Sequence, residues 1–166
     1  RIPIRYDDDG AIILEKVKLH ETQYEVGPWN RRIYAYAGEG DFGPEADAAI
    51  ELAVKKGFES LSYDFDIGFA YKSPGSPYYY APFRDVVLAY LNAGSIMTWY
   101  MGHGGGETNV KRLSEVQCHH RCPMLAFFAC GTADFLMPSD SDPERLMKMP
   151  GAPSAILGSQ PASHPY

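Results

Sequence analysis

Two stretches constrain the fold of this chain more than any other part of it. Residues 95–106 read Ser-Ile-Met-Thr-Trp-Tyr-Met-Gly-His-Gly-Gly-Gly, and residues 123–131 read Pro-Met-Leu-Ala-Phe-Phe-Ala-Cys-Gly. Each is a short apolar run with the length and aromatic character of a buried strand. Each ends in a reactive side chain followed at once by glycine: His103-Gly104 and Cys130-Gly131. In open α/β sheets, ligands bind outside the carboxyl ends of the strands. If the two runs are parallel neighbours, an imidazole and a thiol arrive together at that edge. A base beside a thiol favours the thiolate, which is the nucleophilic form. The pattern predicts a cysteine hydrolase.

Elsewhere, strand and helix signals alternate. Strands are predicted over 2–5, 32–37, 61–65, 124–129 and 154–157. A helix is predicted over 11–24, where Asp7, Asp8 and Asp9 offer an N-cap and negative charge at its start. Its partly apolar face holds Ile12, Ile13, Val17 and the stem of Lys16. A second helix, over 45–56, follows Pro44, is expected to bury Ala46, Ala49, Ile50, Ala53 and Val54, and stops at Gly57. Phe83, Val86, Val87, Tyr90 and Leu91 share one face of a third, closed by Gly94. Shorter helices are predicted over 110–116 and 142–149. Residues 66–82, rich in Gly, Pro, Ser and Tyr, read as a long loop, with Tyr78, Tyr79 and Tyr80 either walling a cleft or covering ordinary surface. This alternation predicts an α/β fold whose parallel sheet carries helices on both faces.

Composition narrows the function. At 166 residues, 45% hydrophobic and 22% charged, the chain suits one ordinary globular domain. A net charge of −6 with no basic stripe argues against nucleic-acid binding. No apolar run approaches the length of a membrane span. The opening, Arg-Ile-Pro-Ile-Arg, has no signal-peptide pattern and reads as a strand already under way. The last residues show no terminating element, so a fragment of a longer chain is expected. Three cysteines leave at least one outside any pair within the chain.

Four constellations compete for the chemistry. The first is Cys130 as nucleophile and His103 as base, with the backbone amides of Gly104 and Cys130 as oxyanion donors. The second is a G-x-G-x-x-G match over 38–43 between a strand and a helix, with Asp64 about 20 residues further on, the context of a dinucleotide site. Glu39 and Asp41 would place two carboxylates against the pyrophosphate, which Coulomb repulsion disfavours. The third is Cys118-His119-His120-Arg121-Cys122, which has zinc-like spacing but no second ligand pair elsewhere; an exposed connector is the plain alternative. The fourth is the His-Gly-Gly-Gly of 103–106, which suits a lipase oxyanion motif only with a downstream G-x-S-x-G, and none exists.

The dyad motifs also carry a family likeness. Tyr100-Met101-Gly102-His103-Gly104-Gly105, followed by Phe127-Phe128-Ala129-Cys130, resembles the caspase-like clan of cysteine peptidases, and within it the gingipain-type enzymes. Arg1-Ile2-Pro3-Ile4, Ala37-Gly38 with Asp41-Phe42-Gly43-Pro44, Asp134-Phe135 and the tail from Ala155 are similar to that family too, so the resemblance covers nearly the whole chain. One departure is Ala133, where the family commonly has glycine.

The resemblance implies a three-layer caspase-like sandwich with a mainly parallel central sheet. It implies Cys130 as nucleophile, His103 as general acid and base, and Gly104 in the oxyanion hole of a cysteine endopeptidase. It also implies an acidic residue near the histidine, for which Glu45 and Asp64 are candidates; each also reads as a cap or a solvated carboxylate. Ser159, Gln160, His164 and Tyr166 are expected beside the cysteine as substrate-pocket candidates. No cofactor is required, although a structural calcium near Asp7, Asp8 and Asp9 fits the family. Expected partners are a polypeptide substrate and a propeptide or adjacent subdomain, in a bacterial protein secreted or held at the cell surface. The rival of another class is a noncatalytic caspase-like module that binds or scaffolds in a secreted system.

Overall fold

Five runs of the chain pair into one all-parallel sheet: β1 (Arg32–Ala37), β2 (Asp66–Tyr71), β3 (Met97–Met101), β4 (Met124–Phe128) and β5 (Ala155–Gly158), in the order β2-β1-β3-β4-β5. Four α-helices join them among the described residues: α1 (Asp7–Thr22), α2 (Pro44–Glu59), α3 (Phe83–Ala93) and α4 (Asp142–Met147). The computed structural model describes residues 2–23, 25–38, 42–102, 115–134, 138–153 and 155–159.

The pleat sorts the strand side chains into two layers of contact. Ile33, Ala35 and Ala37 share one face with Met97, Trp99 and Met101, their register partners. There α2 buries Val54 and Phe58, and the Phe58 ring meets Trp99 edge-on at 5.3 Å. On the other face Tyr36, Ala70, Tyr100, Leu125 and Phe127 pack against Phe83, Val87 and Leu91 of α3 and Leu146 of α4. Helices on both faces of a parallel sheet make the three layers that the family likeness implies.

Three sequence expectations are corrected. The strand placed at 61–65 is a turn, and β2 is Asp66–Tyr71, inside the stretch read as loop. Gly68 interrupts the apolar pattern there for a packing reason: a Cβ on it would come within 2.6 Å of the Tyr34 ring, which stacks on Tyr90 at 4.0 Å. A strand glycine of this kind marks close approach, not a break. Second, α2 runs through Gly57 to Glu59. Glycine in a helix costs about 1 kcal/mol, but burying Phe58 one turn beyond Val54 returns about 1.5–3 kcal/mol. Ala49 and Ala53, expected in the core, are exposed. Third, residues 2–5 form no strand.

That N-terminal segment is a clasp onto α4. The Asp9 carboxylate accepts from the Arg5 and Tyr6 amides at 2.9 and 3.0 Å and pairs with the Lys148 ammonium at 2.8 Å. The Lys148 hydrogen bond, joined by the amides, holds the Asp9 carboxyl down to about 2. Arg5 reaches Asp140 and the carbonyls of Pro138 and Ser139. Lys16, buried on α1, points its ammonium at the carbonyls of Met147, Met149, Pro153 and Leu146, at 2.6 to 3.5 Å. Of the run Asp7, Asp8 and Asp9, where a structural calcium is expected, Asp9 is therefore committed to an ammonium, and Asp7 and Asp8 are exposed in the first turn. Among the described residues no three His, Cys, Asp or Glu side chains group as metal ligands.

Candidate active site

The site begins with strand register. β3 and β4 are adjacent and parallel, with Met101 opposite Phe128. The Gly102 amide extends the ladder by donating to the Phe128 carbonyl at 3.4 Å. The two runs singled out in the sequence thus end side by side at one sheet edge. Cys130 comes two residues after β4, exposed and outside the disulfide. His103 follows Gly102 in the sequence but, with Gly104, lies outside the described residues, as do Gln160, His164 and Tyr166. Most of the short helix predicted over 110–116 lies outside them too.

Cys130 sits on a turn in which its neighbours are buried while it and Gly131 are exposed: Ala129, Thr132 and Ala133 are 1, 5 and 2% accessible. Gly131 turns the chain with φ of 62°, a left-handed conformation that glycine adopts without strain. Ser159, just past β5, holds this turn. Its hydroxyl donates to the Ala129 carbonyl, its amide donates to Thr132 Oγ1 at 3.2 Å, and its carbonyl accepts from the Ala133 amide at 2.9 Å. Ser159, expected as a pocket residue, makes these contacts with the turn that carries Cys130.

The acidic candidates separate. Glu45 is exposed in the first turn of α2, beyond the carboxyl end of β1. Asp64 precedes β2 and so lies at the opposite sheet edge from Cys130, seven residues or about 23 Å along the strand direction from the level of Phe128. Asp64 and Cys130 are therefore not brought together by the sheet, whereas the strand expected at 61–65 puts Asp64 at the carboxyl edge. The glycine-rich loop closes at Gly43, φ 97°, and Pro44 opens α2; residues 39–41 lie outside the described residues.

A cavity of about 730 Å³ opens at that same carboxyl edge, between α2 and the loop after β2. It is lined by Asp47, Glu51 and Lys55 from the helix and by Tyr71 and Tyr78 from the other side. The loop folds back on β2: the Tyr71 amide donates to the Tyr78 carbonyl at 2.8 Å, and the two rings meet edge-on at 5.6 Å. Asp47 Oδ1 and Glu51 Oε1 are buried and accept no hydrogen bond among the described residues. Lys55 does not answer them. It lies 3.5 Å from Glu59 and over the Tyr78 ring at 5.5 Å, and Tyr78 raises its pKa. The cavity is about three strand spacings, roughly 14 Å, from the strand of Cys130. Sequence reasoning missed Asp47 and Glu51. The usable signal was two carboxylates four residues apart on the helix behind the glycine-rich loop, hence on one helix face.

Cys118 and Cys122 form a disulfide. Cys118 is fully buried, and its amide donates to Gly151 at 2.9 Å. The zinc reading and the exposed-connector reading both give way: this segment is a stapled turn docked on the core.

Comparison with curated proteins yields no match, and neither does comparison with solved structures. Comparison with family models matches Peptidase family C25, the gingipain family, over residues 1–165, and the chain belongs to that family of cysteine peptidases.

Proposed function

We propose that this chain hydrolyses peptide bonds through Cys130 and His103. The observation that carries this reading is the register of β3 and β4. It brings the ends of both motif-bearing strands to one edge, with the cysteine exposed there. The imidazole of His103 takes the Cys130 proton. The thiolate attacks the substrate carbonyl, and backbone amides at Cys130 and Gly104 stabilise the oxyanion. The imidazolium then protonates the leaving amine, giving a thioester, and the neutral imidazole this restores takes a proton from the water that hydrolyses it. These steps need only the two side chains and the backbone donors. Glu45, on the correct side of the sheet, is the better of the two acidic candidates for orienting His103.

The cavity beside α2 supports a substrate preference. Its wall carries the carboxylates of Asp47 and Glu51, whose Oδ1 and Oε1 accept no hydrogen bond among the described residues, and this negative wall favours a basic residue of the polypeptide. Among the described residues no helix is long and apolar enough to cross a membrane. The Cys118–Cys122 disulfide fits an oxidising compartment, which supports an exported protein.

The test is hydrolysis of peptide substrates by the wild type and by Cys130→Ala and His103→Ala variants. Each substitution is expected to reduce kcat by about 10³-fold or more, with folding unchanged by circular dichroism. A Cys130→Ala variant that retains turnover would overturn the assignment.

A further inference from the structure

The hydroxyls of Ser159 and Thr132 converge on a single atom. Both donate to the carbonyl oxygen of Ala129, Thr132 Oγ1 at 2.9 Å and Ser159 Oγ at 2.5 Å. That carbonyl belongs to the same peptide unit as the amide of Cys130. A trans peptide holds its C=O and N–H pointing in opposite directions. Two donors fixing the oxygen toward the interior therefore aim the Cys130 N–H the other way, out of the turn. Donation to a peptide oxygen also polarises the unit, so its N–H becomes a stronger donor.

From this geometry we infer that Ser159 and Thr132 are positioning residues that orient and polarise the Ala129–Cys130 peptide as an oxyanion donor. The inference rests on Cys130 being the nucleophile. Three further observations support it. Thr132 is 5% accessible and Ala129 1%, so both bonds are shielded from competing water. The turn is also tied to β5 by backbone-only contact, Ala133 N to Ser159 O at 2.9 Å, so loss of the Ser159 hydroxyl leaves the turn in place. Finally, Gly158 lets β5 come this close: a Cβ there would lie 3.2 Å from Thr132 Oγ1. A hydroxyl reaching back from the end of β5 thus acts through the peptide bond of the nucleophile and touches no substrate.

The role separates from simple support of the thiol by choice of reaction. Peptide hydrolysis and binding of a peptide aldehyde both form an oxyanion on a tetrahedral carbon; alkylation of the thiol by iodoacetamide forms none. The experiment compares Ser159→Ala and Ser159→Thr with the wild type. It measures kcat and KM for a peptide substrate, affinity for the matching peptide aldehyde, and the rate of Cys130 alkylation. Removing an oxyanion donor outright costs 10²–10³-fold in kcat; loosening one is expected to cost about tenfold.

For Ser159→Ala, kcat and aldehyde affinity fall in parallel, KM moves little, and alkylation stays within about twofold. Ser159→Thr, which keeps the hydroxyl, recovers kcat. Thr132→Val lowers kcat as well, and combining it with Ser159→Ala gives a non-additive loss, because both act on one oxygen. Alkylation falling in step with kcat would overturn the inference in favour of simple thiol support. Unchanged kcat and aldehyde affinity would overturn it outright. A Cys130→Ala enzyme that still turns over would instead fail the nucleophile assignment, whatever Ser159 does.

Discussion

Gly158 makes a quantitative claim about how β5 sets the turn that carries Cys130. An added Cβ would lie 2.8 Å from the Ala133 Cβ, 3.2 Å from Thr132 Oγ1 and 3.5 Å from the Ala133 amide nitrogen. Carbon atoms rest at about 3.5–4.0 Å, so Gly158→Ala leaves a shortfall of about 1 Å. The nearest atom is not the tip of a flexible chain. It is bonded directly to the backbone of the turn, so relief requires the turn itself to move. Overpacking of this size costs about 1–3 kcal/mol, which lowers Tm by roughly 2–4 °C per kcal/mol in a chain of this length. The functional effect should be larger, because a displacement of about 1 Å at a reacting group can cost 10²-fold. Unlike Ser159→Ala, Gly158→Ala should lower both kcat and the rate of Cys130 alkylation, since it moves the thiol as well as the amide. The assay is a thermal melt alongside turnover and alkylation. A lowered Tm with unchanged kcat and alkylation would refute the reasoning, showing that the strain relaxes away from Cys130.

Lys16 predicts a pH dependence of stability. Burial pushes its ammonium from the ordinary 10.5 down to about 8, against the pull of the carbonyls facing it. Between those values the folded chain has shed the proton and the unfolded chain keeps it, so stability rises with pH there, by up to about 1.4 kcal/mol per unit. Urea midpoints from pH 7.5 to 10 should rise relative to Lys16→Met; a constant difference would mean the carbonyls cancel the burial. Removing the five-residue Cys118–Cys122 loop closure by Cys118→Ala with Cys122→Ala should cost about 2 kcal/mol in denaturant unfolding, with the alkylation rate of Cys130 unchanged. Asp47→Asn and Glu51→Gln should each lower kcat/KM for substrates carrying Arg or Lys by roughly tenfold, on the order expected of a partly desolvated charge contact. Neutral substrates should be nearly unaffected, and equal losses on both would remove the basic preference.

What was legible in the sequence follows from how local each signal is. The strand predicted over 32–37 matches β1, because an uninterrupted apolar alternation ends at Gly38. The strand before Cys130 was equally plain. Gly68 and Gly57 misled because their roles are tertiary: one makes room for Tyr34, and the other is carried by the burial of Phe58. Asp64 lies at the other sheet edge for the same reason, since its edge depends on where β2 starts. Ser159 and Thr132 meet across 27 residues, and Asp47 shares a cavity with a loop more than 25 residues away. Neither meeting leaves a local pattern.

The central claim is that His103 and Cys130 act as a pair at the shared edge of β3 and β4. The rate of Cys130 alkylation at neutral pH tests it directly, because Cys118 and Cys122 are held in their disulfide and do not compete. In the wild type, labelling by iodoacetamide should be fast, because a neighbouring base favours the thiolate. In His103→Ala the rate should fall by about tenfold or more. Identical rates for the two proteins would contradict the pairing.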